Sequence, residues 1–284
     1  MFIDPGFIAA TVIEGNALKR APAVAGQFYY GAEDRLTAQV EAYIDRSAPK
    51  EDAIGIVVPH AGLIYSGPVA GAVYSSIRFP KTFLMLGPNH TGIGARISLM
   101  AEGEWEIPTG RIEIDRRLAS RIALNVPNVE KDFQAHLFEH SLEVQLPFFP
   151  LFSKDVKIVP VALLSATLDD CLQLAQGLAG VLKNIDYPVV ILASSDMSHY
   201  LPERVARQKD AMAIEKILAL DAEGLYETVT RERISMCGYL PVTVMLQTAR
   251  LLGAKEGRLI KYATSGDVSG DRESVVGYSG IVVR

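Results

Sequence analysis

Residues 54–59 read Ile-Gly-Ile-Val-Val-Pro, and the residue that follows is His60. An apolar, largely β-branched run ended by proline predicts a short strand buried on both faces. The pattern recurs twice. Phe83–Gly87 (FLMLG) is followed three residues later by His90, and Val189–Ala193 (VVILA) leads through Ser194-Ser195-Asp196-Met197-Ser198 to His199. Turn-formers border each histidine: Pro59 and Gly62, Pro88 and Gly92, Ser198 and Pro202.

Outward from these runs, Val156–Leu163, Leu259–Ala263 and Val275–Val283 read as further strands. Ile97–Met100 and Gly103–Ile114 read as a hairpin on the sheet edge, with Pro108-Thr109-Gly110 near its turn. Segments of helical period fall between. In Glu33–Arg46, Leu36, Val40, Tyr43 and Ile44 share one face. Val69–Ile77, Arg116–Asn125, Ser141–Phe149, Asp169–Asn184, Pro202–Leu220 and Pro241–Leu252 follow the same reading. The alternation predicts a single α/β domain with a central, mostly parallel, mixed β-sheet flanked by helices. Residues 1–19 read as an N-terminal extension and 20–284 as the domain. Sheets of this kind take their ligands at the carboxyl ends of the strands. That is where the three histidines fall.

Composition narrows the function classes. The chain has 284 residues, 49% of them hydrophobic, enough for a core that buries about three quarters of the unfolded surface. Its 28 basic and 33 acidic residues leave a net charge of −5 with no Lys/Arg cluster, which argues against nucleic acid as a partner. No apolar stretch approaches the ~18 residues of a membrane span. The N-terminus lacks a basic leader, and Glu14 interrupts its apolar run. Cys171 and Cys237 are too few for a disulfide framework and suit a reducing, cytoplasmic location.

A lone strand-end histidine reads as a loop residue bonded to a backbone carbonyl; three on one rim read as sharing a ligand, and neutral imidazole is the commonest side-chain ligand of transition metals. Asp196, in the loop with His199, either caps that loop or holds an imidazole N–H or accepts a proton. Cys237, in Ser235-Met236-Cys237-Gly238 just before a predicted helix, reads either as a thiol of lowered pKa or as a small buried hydrophobe. Cys171, on an apolar helix, reads as core. His136 and His140 are spaced to share a helix face without the His-Glu-x-x-His order of zinc peptidases. His136 is expected at the surface or in a cap. His140 is expected to support the site from behind, as is Glu139, which with Glu143 also reads as negative charge at a helix start. The glycine-rich stretches 62–71 and 266–280 fit neither phosphate-loop pattern and read as turns and close backbone approaches.

At these residues the chain resembles the Memo family. The resemblance runs through Arg20-Ala21-Pro22-Ala23-Val24-Ala25-Gly26-Gln27-Phe28-Tyr29, Pro59-His60-Ala61-Gly62 with Tyr65-Ser66-Gly67, and Gly87-Pro88-Asn89-His90. It continues through Glu139-His140-Ser141-Leu142-Glu143, the Ser194–Tyr200 stretch and Cys237-Gly238, in register over about residues 20–284. The family's fold is similar to that of class III extradiol dioxygenases, non-haem iron enzymes. The resemblance implies metal ligation by His60, His90 and Cys237, an acid/base role for His199, and Asp196 in the same pocket. Iron(II) is the implied metal, and the thiolate in place of the extradiol carboxylate makes copper and zinc credible beside it. It also implies a redox enzyme acting on a small-molecule substrate, in a pathway shared with a radical-SAM partner. The competing readings are an inert dioxygenase-like pocket that recognises a peptide or small acidic ligand, and metal-free hydrolysis with Cys237 as nucleophile.

Overall fold

In the computed structural model, which describes residues 18–284, the histidine-terminated runs lie side by side in one sheet. In chain order the elements begin β1 (Lys19–Arg20), α1 (Glu33–Glu41), β2 (Gly55–Val58), α2 (Leu63–Ser76), β3 (Thr82–Pro88), β4 (Ile97–Leu99) and β5 (Glu104–Ile107). They continue with β6 (Gly110–Glu113), α3 (Arg116–Asn125), β7 (Glu130–Lys131), β8 (Lys157–Leu163), α4 (Leu168–Leu182) and β9 (Val189–Ser194). The chain ends with β10 (His199–Leu201), α5 (Glu203–Leu218), α6 (Ala222–Arg231), α7 (Tyr239–Leu252), β11 (Gly257–Thr264), α8 (Gly266–Ser269) and β12 (Val275–Val283).

The inner strands β2, β9, β3 and β8 are consecutive neighbours and all parallel, with Val57 opposite Ala193 and Ala193 opposite Leu86. Each is almost wholly buried, as uniformly apolar runs require. Antiparallel pairings flank them: β12 on β2, β10 and β11 on β12, and β4 on β8. The expected α/β domain with a mixed sheet between helices is what forms. Val69 and Val73 of α2 press on Gly280 on one face of β12, and Asp210 of α5 lies against Gly277 on the other. Met245 of α7 packs on Gly55, covering the same side as α5.

Several expectations shift. Ile97–Leu99 is no part of the 103–114 hairpin: it pairs with β8 in the main sheet, whereas β5 and β6 join β1 in a separate three-stranded sheet. Of the expected extension 1–19, residues 1–17 lie outside the described residues, and Lys19 pairs with Glu104 in that small sheet. The segment expected as helix 141–149 is a 3-10 stretch, Glu143–Leu151, because Pro147 and Pro150 remove two N–H donors and disfavour α geometry before them. Helix α2 starts at Leu63, not Val69, so most of the 62–71 stretch is helix and not turn. Its glycines serve close approach: a Cβ on Gly67 or Gly71 would sit 2.3 Å from Tyr43 atoms. Helix α6 went unread, although Asp221 caps it by accepting from Gly224 N–H at 2.9 Å.

Candidate metal centre

Three parallel neighbours deliver three histidines to one edge of the sheet. His60 follows β2 after a single proline, His90 follows β3 within two residues, and His199 begins β10 beyond the end of β9. The fourth arrival is Cys237, one residue ahead of the Gly238 cap of α7. Gly238 lets that loop touch the end of β9: a Cβ there would stand 2.2 Å from the Ser194 carbonyl. Gly238 N–H donates to Ser195 Oγ at 3.0 Å, fixing the approach.

The donor atoms of His60, His90 and Cys237 all lie within 4.8 Å of one another, with Cys237 Sγ 3.2 Å from His60 Nε2. The His60 and His90 rings meet edge-on at 5.3 Å between centroids. His140 is outside that donor set and forms a second group with His90 and Glu139, whose donor atoms also lie within 4.8 Å of one another. Its ring stacks on His90 at 4.7 Å, stands 5.5 Å from His60, and is backed by Phe28 at 4.7 Å. All three imidazoles line a cavity of about 620 Å³ that also exposes Asp196, His199 and Tyr200.

What lies behind each ring sets what it offers in front. Glu139 accepts from His90 Nδ1 at 2.9 Å through Oε1, and from the His90 main-chain N–H through Oε2. Ser141 N–H donates to the same Oε1 at 2.9 Å. Burial pushes the Glu139 carboxyl up, but its bonds and charge interactions with His90, with Ser141 N–H and His140, prevail and hold it down at about 2. His60 is buried; desolvation first, then His140, His90 and His199, hold it well below the usual histidine range, so it is neutral. His140 is lowered for the same first reason.

Two expectations change here. The helix start does not lower the Cys237 thiol: burial, reinforced by the Asp196 carboxylate, raises it well above its ordinary value. Asp196 holds no imidazole either. Its Oδ1 accepts the main-chain N–H groups of His60 at 2.8 Å and Ala61 at 3.2 Å, bracing the loop that presents His60. Burial raises its pKa against those bonds. The His199 ring is oriented by Ser235: Nδ1 donates to the Ser235 carbonyl at 2.8 Å, and its main-chain N–H to Ser235 Oγ at 2.8 Å. His136, expected at the surface, is fully buried beside Trp105 and takes no part in the cavity.

Comparison with known families completes the picture. The family model described as Memo-like protein matches residues 20–282. The chain belongs to the Memo-like family. It is similar to a MEMO1 family protein of Pyrobaculum aerophilum, 43% identical over 275 residues that cover 93% of this chain and 98% of the relative. A MEMO1 family protein of Saccharolobus islandicus is 44% identical over 278 residues, 92% and 98% of the two chains. One of Sulfurisphaera tokodaii is 42% identical over 276 residues, 91% and 97%. Sequence reasoning on this Memo-like chain overlooked Tyr74, Gln145 and Ser194, which stand behind His60. Tyr74 and Gln145 belong to no motif, Ser194 opens the Ser194–Tyr200 stretch that carries the resemblance, and only their placement behind His60 reveals what the three do.

Proposed function

We propose that this Memo-like chain is a metal-dependent redox enzyme in which His60, His90 and Cys237 hold iron(II) at the floor of the cavity, beneath a small-molecule substrate. The observation that supports this most is the convergence of two imidazoles and one thiol, from three chain segments, within 4.8 Å. The donor set fits a metal: ligand atoms bonded at about 2.0–2.3 Å to a common ion stand roughly 3–4 Å apart. The thiol occupies the role that a carboxylate fills in two-histidine iron triads, so copper and zinc compete with iron as occupants. When bound, such a metal supplies electron transfer and Lewis acidity that side chains lack.

The chain's own residues do the rest. Because the Ser235 carbonyl only accepts, His199 carries its proton on Nδ1, and the lone pair of the neutral ring is at Nε2. A substrate proton is taken at that Nε2 and returned from it. Asp196 keeps the His60 loop in place through two N–H bonds. The cavity wall is aromatic, with Phe28, Tyr65, Tyr200 and Tyr278, and among the described residues no lysine or arginine lines it. That lining suits an uncharged, ring-bearing substrate. An acidic ligand would meet the Asp196 and Asp271 carboxylates there with no lysine or arginine to pair with, which tells against the inert acidic-ligand pocket.

Anaerobic reconstitution with iron(II), copper(I) or zinc(II), followed by metal analysis and oxygen uptake with catechols, tests the reading. Wild type is expected to retain metal that His60→Ala and Cys237→Ala lose, and uptake is expected to vanish in His199→Ala. Equal metal content in all three proteins overturns the ligand set. Uptake indifferent to His199→Ala overturns its proton-transfer role.

A further inference from the structure

His60 has a fully buried polar chain behind it whose direction can be deduced bond by bond. Pro59 and Ser141 contribute main-chain carbonyls, which only accept. Gln145 Nε2 lies 2.9 Å from the Pro59 carbonyl, so the amide nitrogen must face that way, and Oε1 is left to accept from Tyr74 Oη at 2.8 Å. The same Nε2 donates its other hydrogen to Ser194 Oγ at 3.0 Å. Ser194 has one hydroxyl hydrogen, and it is committed to the Ser141 carbonyl at 2.7 Å. The remaining neighbour of Ser194 Oγ is His60 Nδ1, at 2.9 Å. With its only hydrogen spent, Oγ can meet Nδ1 solely as an acceptor. Nδ1 therefore carries the ring proton, and Nε2 is a bare lone pair 3.2 Å from Cys237 Sγ.

We propose that Tyr74, Gln145 and Ser194 are positioning residues that lock His60 in the Nδ1–H tautomer, so that a lone pair and not a proton faces Cys237 in the donor set. The benefit to metal binding rests on the function proposed above; the tautomer itself does not. His90 reaches the same state by another device, the Glu139 carboxylate behind its Nδ1. The segment 139–141 serves both rings, since Glu139 holds His90 and the Ser141 carbonyl takes the Ser194 hydroxyl hydrogen. One short stretch of chain thus sets two ligands at once. Partners of this kind typically change metal affinity about 10–100-fold when removed.

Long-range ¹H–¹⁵N correlation spectra of the chelator-treated protein read the tautomer directly, with His60→Gln assigning the signals. The expected wild-type pattern is that of a ring protonated at Nδ1. Ser194→Ala is expected to shift the ring toward the Nε2–H form and to weaken zinc(II) binding, measured by chelator competition, about 10–100-fold. Ser194→Thr, which keeps the hydroxyl, is expected to restore both readouts. An Nε2–H ring in wild type, or an unshifted Nδ1–H ring in Ser194→Ala, overturns the proposal. Wild type with an Nδ1–H ring and no zinc affinity would leave the relay standing and sink the metal reading. If Ser194→Ala fails to fold, the wild-type spectrum alone still decides the tautomer.

Discussion

His136 and His140 are four residues apart, yet one lies in the core and the other in the cavity. His136 meets the Ser98 carbonyl through Nε2 at 3.2 Å and stands edge-on to Trp105, and its main-chain carbonyl accepts Arg20 Nε at 2.6 Å. Around it, the fully buried Arg20 and Glu143 pair at 2.6 Å, and Glu143 also accepts from Ala23 N–H, Val24 N–H and the Tyr29 hydroxyl. Arg20 further donates to the Glu139 carbonyl at 2.7 Å and lies 4.1 Å over the Trp105 ring. His140 instead stacks on His90 with its ring open to the cavity. Both regions are dense in polar groups. They differ in how charge is satisfied: the Arg20 cluster spends its charges on protein partners, although the buried His136 Nδ1 has none among the described residues, whereas the cavity cluster holds His60 and His90 from behind and leaves them open in front. A cluster whose charges are paired builds structure, and an open one is available for chemistry.

The sharpest way to break this contrast is Glu143→Ala, which strands the Arg20 guanidinium in the core. It should cost about 3–5 kcal/mol in urea unfolding, while His140→Ala should cost less than about 1 kcal/mol. Replacing Arg20 and Glu143 together by methionine should recover much of the loss. Comparable costs at His140 and Glu143 would erase the distinction.

Acid tests the core histidine separately. Burial first, and then Arg20, lower the His136 pKa from 6.5 to about 4, and the Ser98 bond and the Asp132 and Glu139 charges only partly offset them. Between those values the unfolded chain binds the extra proton, so stability is intact above pH ~6.5 and falls as the pH drops toward 4, by about 3 kcal/mol in all. Urea midpoints measured down this window should fall less steeply in His136→Gln. An unchanged slope would show that the ring is not held neutral. Metal is the third lever. At about 100 times its dissociation constant a ligand stabilises the fold by ~2.7 kcal/mol, so zinc should raise the Tm of wild type and Cys171→Ala, but not of Cys237→Ala, and a chelator should reverse the rise.

The smallest effect separates the two thiols. Cys171 is wholly buried in apolar surroundings, where desolvation first and the Asp170 charge second push its thiol up to about 12. Cys171→Ala should cost about 1 kcal/mol of packing and leave metal binding untouched. Neither thiol should react readily with iodoacetamide at neutral pH, because burial raises both. Rapid labelling of Cys237 alone would revive the nucleophile reading.

The inner strands were legible because uniform apolar runs leave few alternatives to a doubly covered strand. Their histidines were legible because parallel strands must end on the same edge. Harder to read was anything set by tertiary placement. His136 looked like a surface residue because nothing in its neighbours announces Arg20, more than a hundred residues earlier, bonding to its carbonyl. Cys237 allowed two readings, a thiol lowered by the helix that follows it or a small buried group, and burial with the Asp196 charge outweighs the helix start. Gln145 looked like one more residue of a helix that its prolines do not permit.

Cobalt(II) titration of the metal-free protein bears most directly on whether His60, His90 and Cys237 act as a single donor set. Wild type and Cys171→Ala should develop a thiolate-to-cobalt charge-transfer band in the near ultraviolet. That band should be lost in Cys237→Ala, and the visible cobalt bands should weaken in His60→Ala and His90→Ala. A charge-transfer band that survives Cys237→Ala, or never forms in wild type, would contradict the account.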